Sequence, residues 1–396
     1  MWGMMKTTTL VFNAGSSSLK YELLAADEST LVDGTIGRIG SKNADSTKNR
    51  GESTSDHNAA LERALAEIDT AMPANWRDDV AGVGHRVVHG GPALFEPTPV
   101  DYASIAELER VVDLAPLHNR PALAVIKAAR KLLPDVPHVM VFDTSFHHNL
   151  PVVARTYALP RAITEKWRIR RYGFHGISCA YLTGRVRELG IVPARRMAIC
   201  HLGSGASVTA VLDGQSIDTS MGFTPLEGLV MGTRSGDVDP SLTFFLQRQA
   251  GYSVDEVEQI LDHQSGLLGL SGTTADYGKL TEQAEHGSET AQLALDVFAY
   301  RVRKYLGAYW AALGGLDLIV FSGGIGENAP AARTRIIEPL AEVGWRIDPA
   351  ANSSGAAERC ISPPDAHPSI WVIPTRETLT IARDMRDLIT SPKNQH

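Results

Sequence analysis

Six short segments set charged or polar side chains at the ends of apolar runs, five of them beside glycine or proline. They are Gly84-His85-Arg86-Val87-Val88-His89-Gly90-Gly91, Ala115-Pro116-Leu117-His118-Asn119, Val141–Phe146, Arg170–Gly176, Met231–Asp237 and Pro374–Thr378. Singly, each has an ordinary explanation. Arg86 reads as a surface strand residue, His175 as a satisfied loop histidine, and Asp143 as a turn cap. Together they supply arginines for anionic oxygens, histidines that donate hydrogen bonds, and carboxylates for a divalent cation. Phosphoryl transfer needs that set, because it depends on alignment and charge stabilisation rather than on protein covalent chemistry.

The elements that must position these groups carry one design twice. Leu10–Phe12, Asn13, Ala14-Gly15-Ser16-Ser17-Ser18, Leu19-Lys20-Tyr21 is an apolar strand, a polar end residue, a Gly/Ser turn and a second strand. Ala198–Cys200, His201, Leu202-Gly203-Ser204-Gly205, Ala206-Ser207-Val208 repeats it about half a chain later. Small residues let backbone N–H groups approach a phosphate, and serine adds hydroxyl donors. One such turn is an ordinary hairpin. Two suggest a duplicated domain. A third turn, Ser322-Gly323-Gly324-Ile325-Gly326-Glu327-Asn328, follows the strand Leu316–Phe321 and precedes a helix opening at Ala329-Pro330. It would aim helix-terminal N–H groups at an anion or nucleotide.

Further elements follow from periodicity. Helices are expected at Ala59–Ala71, Pro116–Leu133, Ser288–Leu313 and Glu377–Ile389, and strands at Val80–Val88, Val139–Phe142, Met197–His201 and Ser207–Leu212. Strands alternating with helices indicate an α/β fold. In the long helix Ala291, Leu295, Phe298, Val302, Tyr305, Tyr309 and Leu313 form one apolar stripe, either core or dimer interface. The polar stretch Asp27–Asp56 reads as an exposed loop, and a hinge is expected near Asn149–Ala154.

Composition excludes several classes. The chain has 396 residues and a net charge of −7, which disfavours nucleic acid as a partner. No run of about 18 apolar residues exists, so no membrane partner is expected. Met1–Lys6 lacks a signal-like apolar run. Cys179, Cys200 and Cys360 are isolated, which fits a reducing, cytoplasmic setting. Gly272–Leu280 misses the P-loop spacing, no H-R-D kinase loop occurs, and no G-x-S-x-G elbow is present. His85 and His89 lack the glutamate of a zinc-protease helix, so zinc is not expected.

The segments N-A-G-S-S-S-L-K, H-R-V-V-H-G-G, R-Y-G-F-H-G, M-G-T-R-S-G-D and G-G-I-G-E-N resemble, in order, those of the acetate kinase family. That family sits within the acetate and sugar kinase, heat-shock protein and actin superfamily, and the resemblance runs from Val11 to about Arg383. It implies two duplicated actin-like (ribonuclease H-like) α/β domains with an interdomain cleft. The first would be 1–149 with a returning helix in 378–396, and the second, nucleotide-binding and dimerising, 150–377. It implies reversible in-line transfer of the ATP γ-phosphoryl group to acetate, giving acetyl phosphate and ADP, and a homodimer.

Residue by residue, the resemblance implies catalytic roles for Asp143, Arg86, Arg234, His175 and His118. Phosphates and nucleotide would meet Asn13, Ser16, Ser18, Lys20, His201, Gly203, Ser204, Gly205, Asp276, Tyr277, Gly323, Gly324, Ile325, Gly326 and Asn328. Val88, Leu117, Phe174 and Pro225 would form the apolar pocket for the acyl methyl. Asn13, Asp143 and Glu377 would hold Mg²⁺, with Mn²⁺ as a substitute, mostly through water. Three positions depart from the family pattern: Ser204 stands for Asn, Gly278 for an Arg against the adenine, and Arg376 for Asn. The rival readings are a propionate or broader short-chain acyl kinase and, in a different class, an ATP-dependent switch or scaffold. A switch does not need Arg86, Arg234 and His175 together.

Overall fold

The apolar runs pair into two mixed sheets of six strands each. The structure is a computed structural model that describes residues 6–40 and 54–391. The first sheet holds β1 (Thr8–Ala14), β2 (Ser18–Leu24), β3 (Thr30–Gly37), β4 (Val80–Val87), β5 (Thr98–Pro99) and β6 (His138–Phe142), in the order β3-β2-β1-β4-β6-β5. The second holds β7 (Arg196–Leu202), β8 (Ala206–Leu212), β9 (Gln215–Thr219), β10 (Leu318–Ser322), β11 (Arg359–Cys360) and β12 (Ser369–Val372). From its far edge the second order is β9-β8-β7-β10-β12-β11, the same as the first strand for strand. Directions match as well. Strands β1, β4 and β6 are mutually parallel, as are β7, β10 and β12, and the hairpin and edge pairings are antiparallel in both. The duplication inferred from two turns therefore extends to the whole of each sheet.

The chain separates into two compact units, Met1–Ser145 with Arg376–His396, and Phe146–Thr375. The first break falls before the expected hinge at Asn149. His147 explains why: its ring hydrogen-bonds Ser216 and Phe174, so Phe146 onward belongs with the second sheet. Among the described residues no helix is long and apolar enough to cross a membrane.

In the first unit the inner strands are apolar and buried on both faces, as parallel strands must be. The helix His57–Ala71 starts at Asp56, whose carboxylate accepts from the N–H groups of Asn58 and Ala59. It buries Leu61, Ala64, Leu65 and Ile68. With Val125, Ile126 and Ala129 of the helix Pro116–Leu132 they cover Leu10, Phe12, Val83, Val87 and Met140. The expected loop at Asp27–Asp56 is corrected in part, because β3 lies within it. That strand is a sheet edge and stays largely solvated, so its polar sequence hid it. The run Ser41–Gly51 lies outside the described residues.

The other face is covered by the C-terminal helix Glu377–Thr390, packed on β1, β4 and β6. Its seat is a groove made by two glycines of β4. A Cβ on Gly82 would stand 2.5 Å from Met385 Sδ, and one on Gly84 2.5 Å from Ile381 Cγ2. Met385, Ile381 and Glu377 are spaced by one helical turn, while Gly82, Gly84 and Arg86 alternate along the strand. The groove thus sets Glu377 toward the Arg86 end of β4. In the second unit the helix Glu289–Leu313 buries Ala291, Leu295, Phe298, Val302, Tyr309 and Leu313, so the apolar stripe is core. Leu293, Tyr300 and Trp310 are exposed on the same helix.

Gly84→Ala should cost about 1–3 kcal/mol, because overpacking outweighs the stabilisation from a lower unfolded-state entropy. Urea denaturation of Gly84→Ala, Ile381→Ala and the double variant measures it. The Ile381→Ala change should cost less in the Gly84→Ala background.

Candidate active site

The carboxyl ends of β1, β4 and β6 carry Asn13, Arg86 and Asp143 side by side, the end at which open α/β sheets bind ligands. Arg86 Nε donates to Asp143 Oδ1 at 3.1 Å and Nη2 to Oδ2 at 2.5 Å. Its Nη1 donates to Asn13 Oδ1 at 3.0 Å. The Asp143 side chain is 1% exposed and that of Arg86 15%. Burial alone would lower the Arg86 pKa, but the carboxylates of Asp143 and Glu377 outweigh it and push it up. The guanidinium is a fixed, oriented cation.

Other first-unit residues gather at the same strand ends. Lys20 is the register partner of Asn13 across β1 and β2, so the two share a sheet face. Ser16 and Ser18 lie in the turn that Gly15 N–H closes on Ser18 O at 2.7 Å. Asn119 clamps His89, donating to its carbonyl at 2.9 Å and accepting from its N–H at 3.2 Å. The clamp ties the start of the Pro116–Leu132 helix, with Leu117 and half-buried His118, to the chain just after β4, where Val88 is buried. Leu117 is exposed.

The second unit brings together His175, His201 and Arg234. The two imidazoles stack with centroids 4.2 Å apart. Ser207 Oγ lies 3.0 Å from His175 Nδ1, and Ser178 Oγ 2.8 Å from His201 Nδ1. A Cβ built on Gly205 would stand 3.2 Å from His175 Nε2 and 3.7 Å from Arg234 Nη1. Only glycine keeps that point open. Arg234 Nη1 donates to the Pro225 carbonyl at 3.4 Å, and Nε lies 3.9 Å from Asp262. Burial raises the Asp262 pKa, against the pull of Arg234. Phe174, next to His175, is buried.

The glycine turns of this unit abut. Gly232 N–H donates to Ser204 O at 3.0 Å. A Cβ on Gly203 would stand 3.8 Å from Gly324 N. Gly323 has φ +76°, and a Cβ there would strike Leu202 O at 2.7 Å. The Gly323–Asn328 segment forms one short helix, and Glu327 Oε1 accepts from its first N–H, Gly323, at 2.8 Å. Gly324 and Asn328 are exposed, Ile325 is half-buried and Gly326 buried. Asp276 and Tyr277 stand further along. Asp276 caps the helix Tyr277–Glu285, and Tyr277 is buried edge-on against Phe298.

A family model described as the acetokinase family matches residues 8–383. The chain belongs to the acetokinase family. The acetate kinase of Dictyoglomus thermophilum is 45% identical over 389 residues, 95% of this chain and 97% of that one. That of Halothermothrix orenii is 44% identical, covering 96% and 99%. The crystal structure of Porphyromonas gingivalis acetate kinase superposes with TM-score 0.87 at 36% identity, covering 97% of this chain and all of the other. A propionate kinase from Francisella tularensis superposes with TM-score 0.88 at 38% identity, covering 96% and 98%.

Within this acetokinase fold the departures are locally accommodated. Ser204 meets Gly232 through its backbone, Arg376 Nη2 donates to the Glu28 carbonyl at 3.3 Å, and a Cβ on Gly278 would meet only Asp276 Oδ1, at 3.3 Å. Sequence reading gave no role to Ser178, Ser207, Glu327 or Asn119. Ser207, Glu327 and Asn119 stood inside quoted segments, whereas Ser178 carried no local signal.

His85 points away from Arg86 into the core. Its Nε2 lies 3.0 Å from His138 Nδ1, and His138 Nε2 lies 3.0 Å from Leu133 O. Among the described residues no cluster of three or more metal-ligating side chains occurs. Burial holds the pKa of both imidazoles below the usual 6.5, so the folded chain takes up their protons only at lower pH than the unfolded chain does. The unfolded chain then binds more protons below about pH 6.5, and stability falls as pH drops through that value. Thermal melts at pH 7.5 and 5.0 should show a lower midpoint at pH 5.0, with the gap narrowed in His138→Gln.

Proposed function

We propose that the protein is an acetate kinase that transfers the γ-phosphoryl group of ATP directly and reversibly to acetate. The observation that carries the reading is the Arg86 fork, preorganised by Asn13 and buried Asp143 at the ends of three parallel strands. A planar fork meets a carboxylate or a phosphoryl group bidentately. Arg86 and Arg234 bind the acyl carboxylate and then the transferring group, while His175 donates to the phosphoryl oxygens. His118 supports the acyl site and His201 the nucleotide phosphates. An acetate oxygen forms a bond to γ-phosphorus as the bond to the β,γ-bridging oxygen breaks. Acetate is ionised at neutral pH, so no general base is required and Asp143 serves orientation. Catalysis is alignment plus charge stabilisation.

Asp143, Glu377 and Asn13 would hold Mg²⁺ mostly through water, with Mn²⁺ able to replace it. Two carboxylates and an amide are a sparse set. That suits an ion which keeps its waters and is shared with nucleotide phosphates. When bound, it supplies charge neutralisation between the phosphates. The nucleotide side uses Lys20, the serines Ser16 and Ser18, the turn Gly203-Ser204-Gly205, Asp276 and Tyr277, and Gly323–Asn328. A cytoplasmic setting is in keeping with Cys179, Cys200 and Cys360, none of which forms a disulfide. Exposed Leu293, Tyr300 and Trp310 on the long helix support a homodimer formed by the second unit.

The similarity to a propionate kinase favours one second reading. One methylene changes acyl binding by only about 1–3 kcal/mol, so a small energy separates the two readings.

Purified protein with MgATP and acetate, propionate or butyrate, trapped by hydroxylamine, tests the reading. Acetyl hydroxamate should form, with propionate next and butyrate last. No product from any acid, despite ATP binding, would sink it. Arg86→Ala and Arg234→Ala should each lower kcat by about 10²–10³-fold with an unchanged circular dichroism spectrum.

A further inference from the structure

His147 is fully buried, and the reaction as described gives it no task. Both ring nitrogens are committed. Nε2 lies 3.0 Å from the Phe174 carbonyl, and Nδ1 lies 2.8 Å from Ser216 Oγ. Burial pushes its pKa down to about 4, so the ring is neutral near pH 7. A carbonyl only accepts, so Nε2 carries the single proton and Nδ1 accepts from the serine hydroxyl.

The carbonyl it holds lies between two left-handed residues. Gly173 has φ +76° and His175 φ +56°. For histidine this conformation is strained, because Cβ crowds the following carbonyl. The ring also packs directly on Gly173, where a Cβ would stand 2.7 Å from His147 Cγ and 2.6 Å from Thr219 Cγ2. From the other side the Tyr172 and Gly173 N–H groups both donate to Gly222 O. Everything around this turn restricts it.

Rotation of the 174–175 peptide plane changes ψ of Phe174 and φ of His175 together. It is the route by which His175 would relax to the right-handed side. The carbonyl that would have to swing is the one His147 holds. A swing would redirect the His175 side chain away from Ser207 and from the point it shares with Arg234 at Gly205. We propose that His147 is a positioning residue for phosphoryl transfer: its Nε2–H bond to the Phe174 carbonyl locks the peptide that keeps His175 left-handed. The catalytic consequence rests on the acetate kinase reading, whereas the lock does not.

The test compares His147→Phe, which keeps a ring but loses the donor, with His147→Gln, which restores a donor near the Nε2 position. Crystal structures read the peptide, and steady-state kinetics read the reaction. In His147→Phe the Phe174 carbonyl should rotate, φ at His175 should turn negative, and kcat should fall about 10²-fold while KM for acetate changes little. His147→Gln should keep the native peptide and recover most of the turnover. A simple packing defect would not be rescued by glutamine. If His147→Phe does not fold, His147→Met carries the same two readings. An unrotated peptide, or turnover within about threefold of the parent, overturns the proposal. A parent that makes no acyl phosphate, with a rotated peptide in His147→Phe, overturns the functional reading and leaves the lock supported.

Discussion

The Arg86–Asp143 pair is almost withdrawn from water, and that constrains the elements around it. A buried ion pair repays its desolvation only when the geometry is good and the remaining donors are satisfied. Good geometry here requires three neighbouring strand ends in register, because Asn13, Arg86 and Asp143 come from three different strands or strand ends. It requires a second carboxylate nearby, Glu377, from the last helix of the chain. That helix can approach only because β4 has no side chain at Gly82 and Gly84. A stretch that looks like simple sheet packing is thus part of the electrostatics of an arginine.

The second unit repeats the sheet but not this solution. The position at the end of β7 holds His201, where β1 holds Asn13. The partners are hydroxyls instead of carboxylates, and the rings stack instead of forking. One architecture carries two chemistries because its strand ends are open to substitution while its strand interiors are not. Interiors are buried on both faces and are mostly apolar, the few polar side chains there being held by hydrogen bonds, as His85 is by His138. Ends face turns, where glycine controls approach and a polar side chain can be held by its neighbours.

The sequence was a good guide wherever a signal is local. Periodicity marked the helices His57–Ala71, Pro116–Leu132 and Glu289–Leu313 nearly to their ends, since one buried face repeats every turn. The paired Gly/Ser turns announced the duplication. It was a poor guide to β3, whose edge position permits polar residues that read as loop. It could not tell core from interface for the stripe on the long helix, because both are apolar and only neighbours distinguish them.

The sequence by itself determined which residue types are available for anion chemistry and the order in which the chain presents them. Arg86, Asp143, His175 and Arg234 all stand in short polar segments that the sequence displays locally. Tertiary structure alone decided which of them meet. Asn13 and Arg86 are separated by 73 residues, and His175 and Ser207 by 32. Their pairing depends on strand order, which no local pattern encodes. The same holds for Asn119, Ser178 and His147, common residue types whose importance comes only from what they hold. A hydrogen bond acts over about 3 Å, and chain separation does not report distances on that scale.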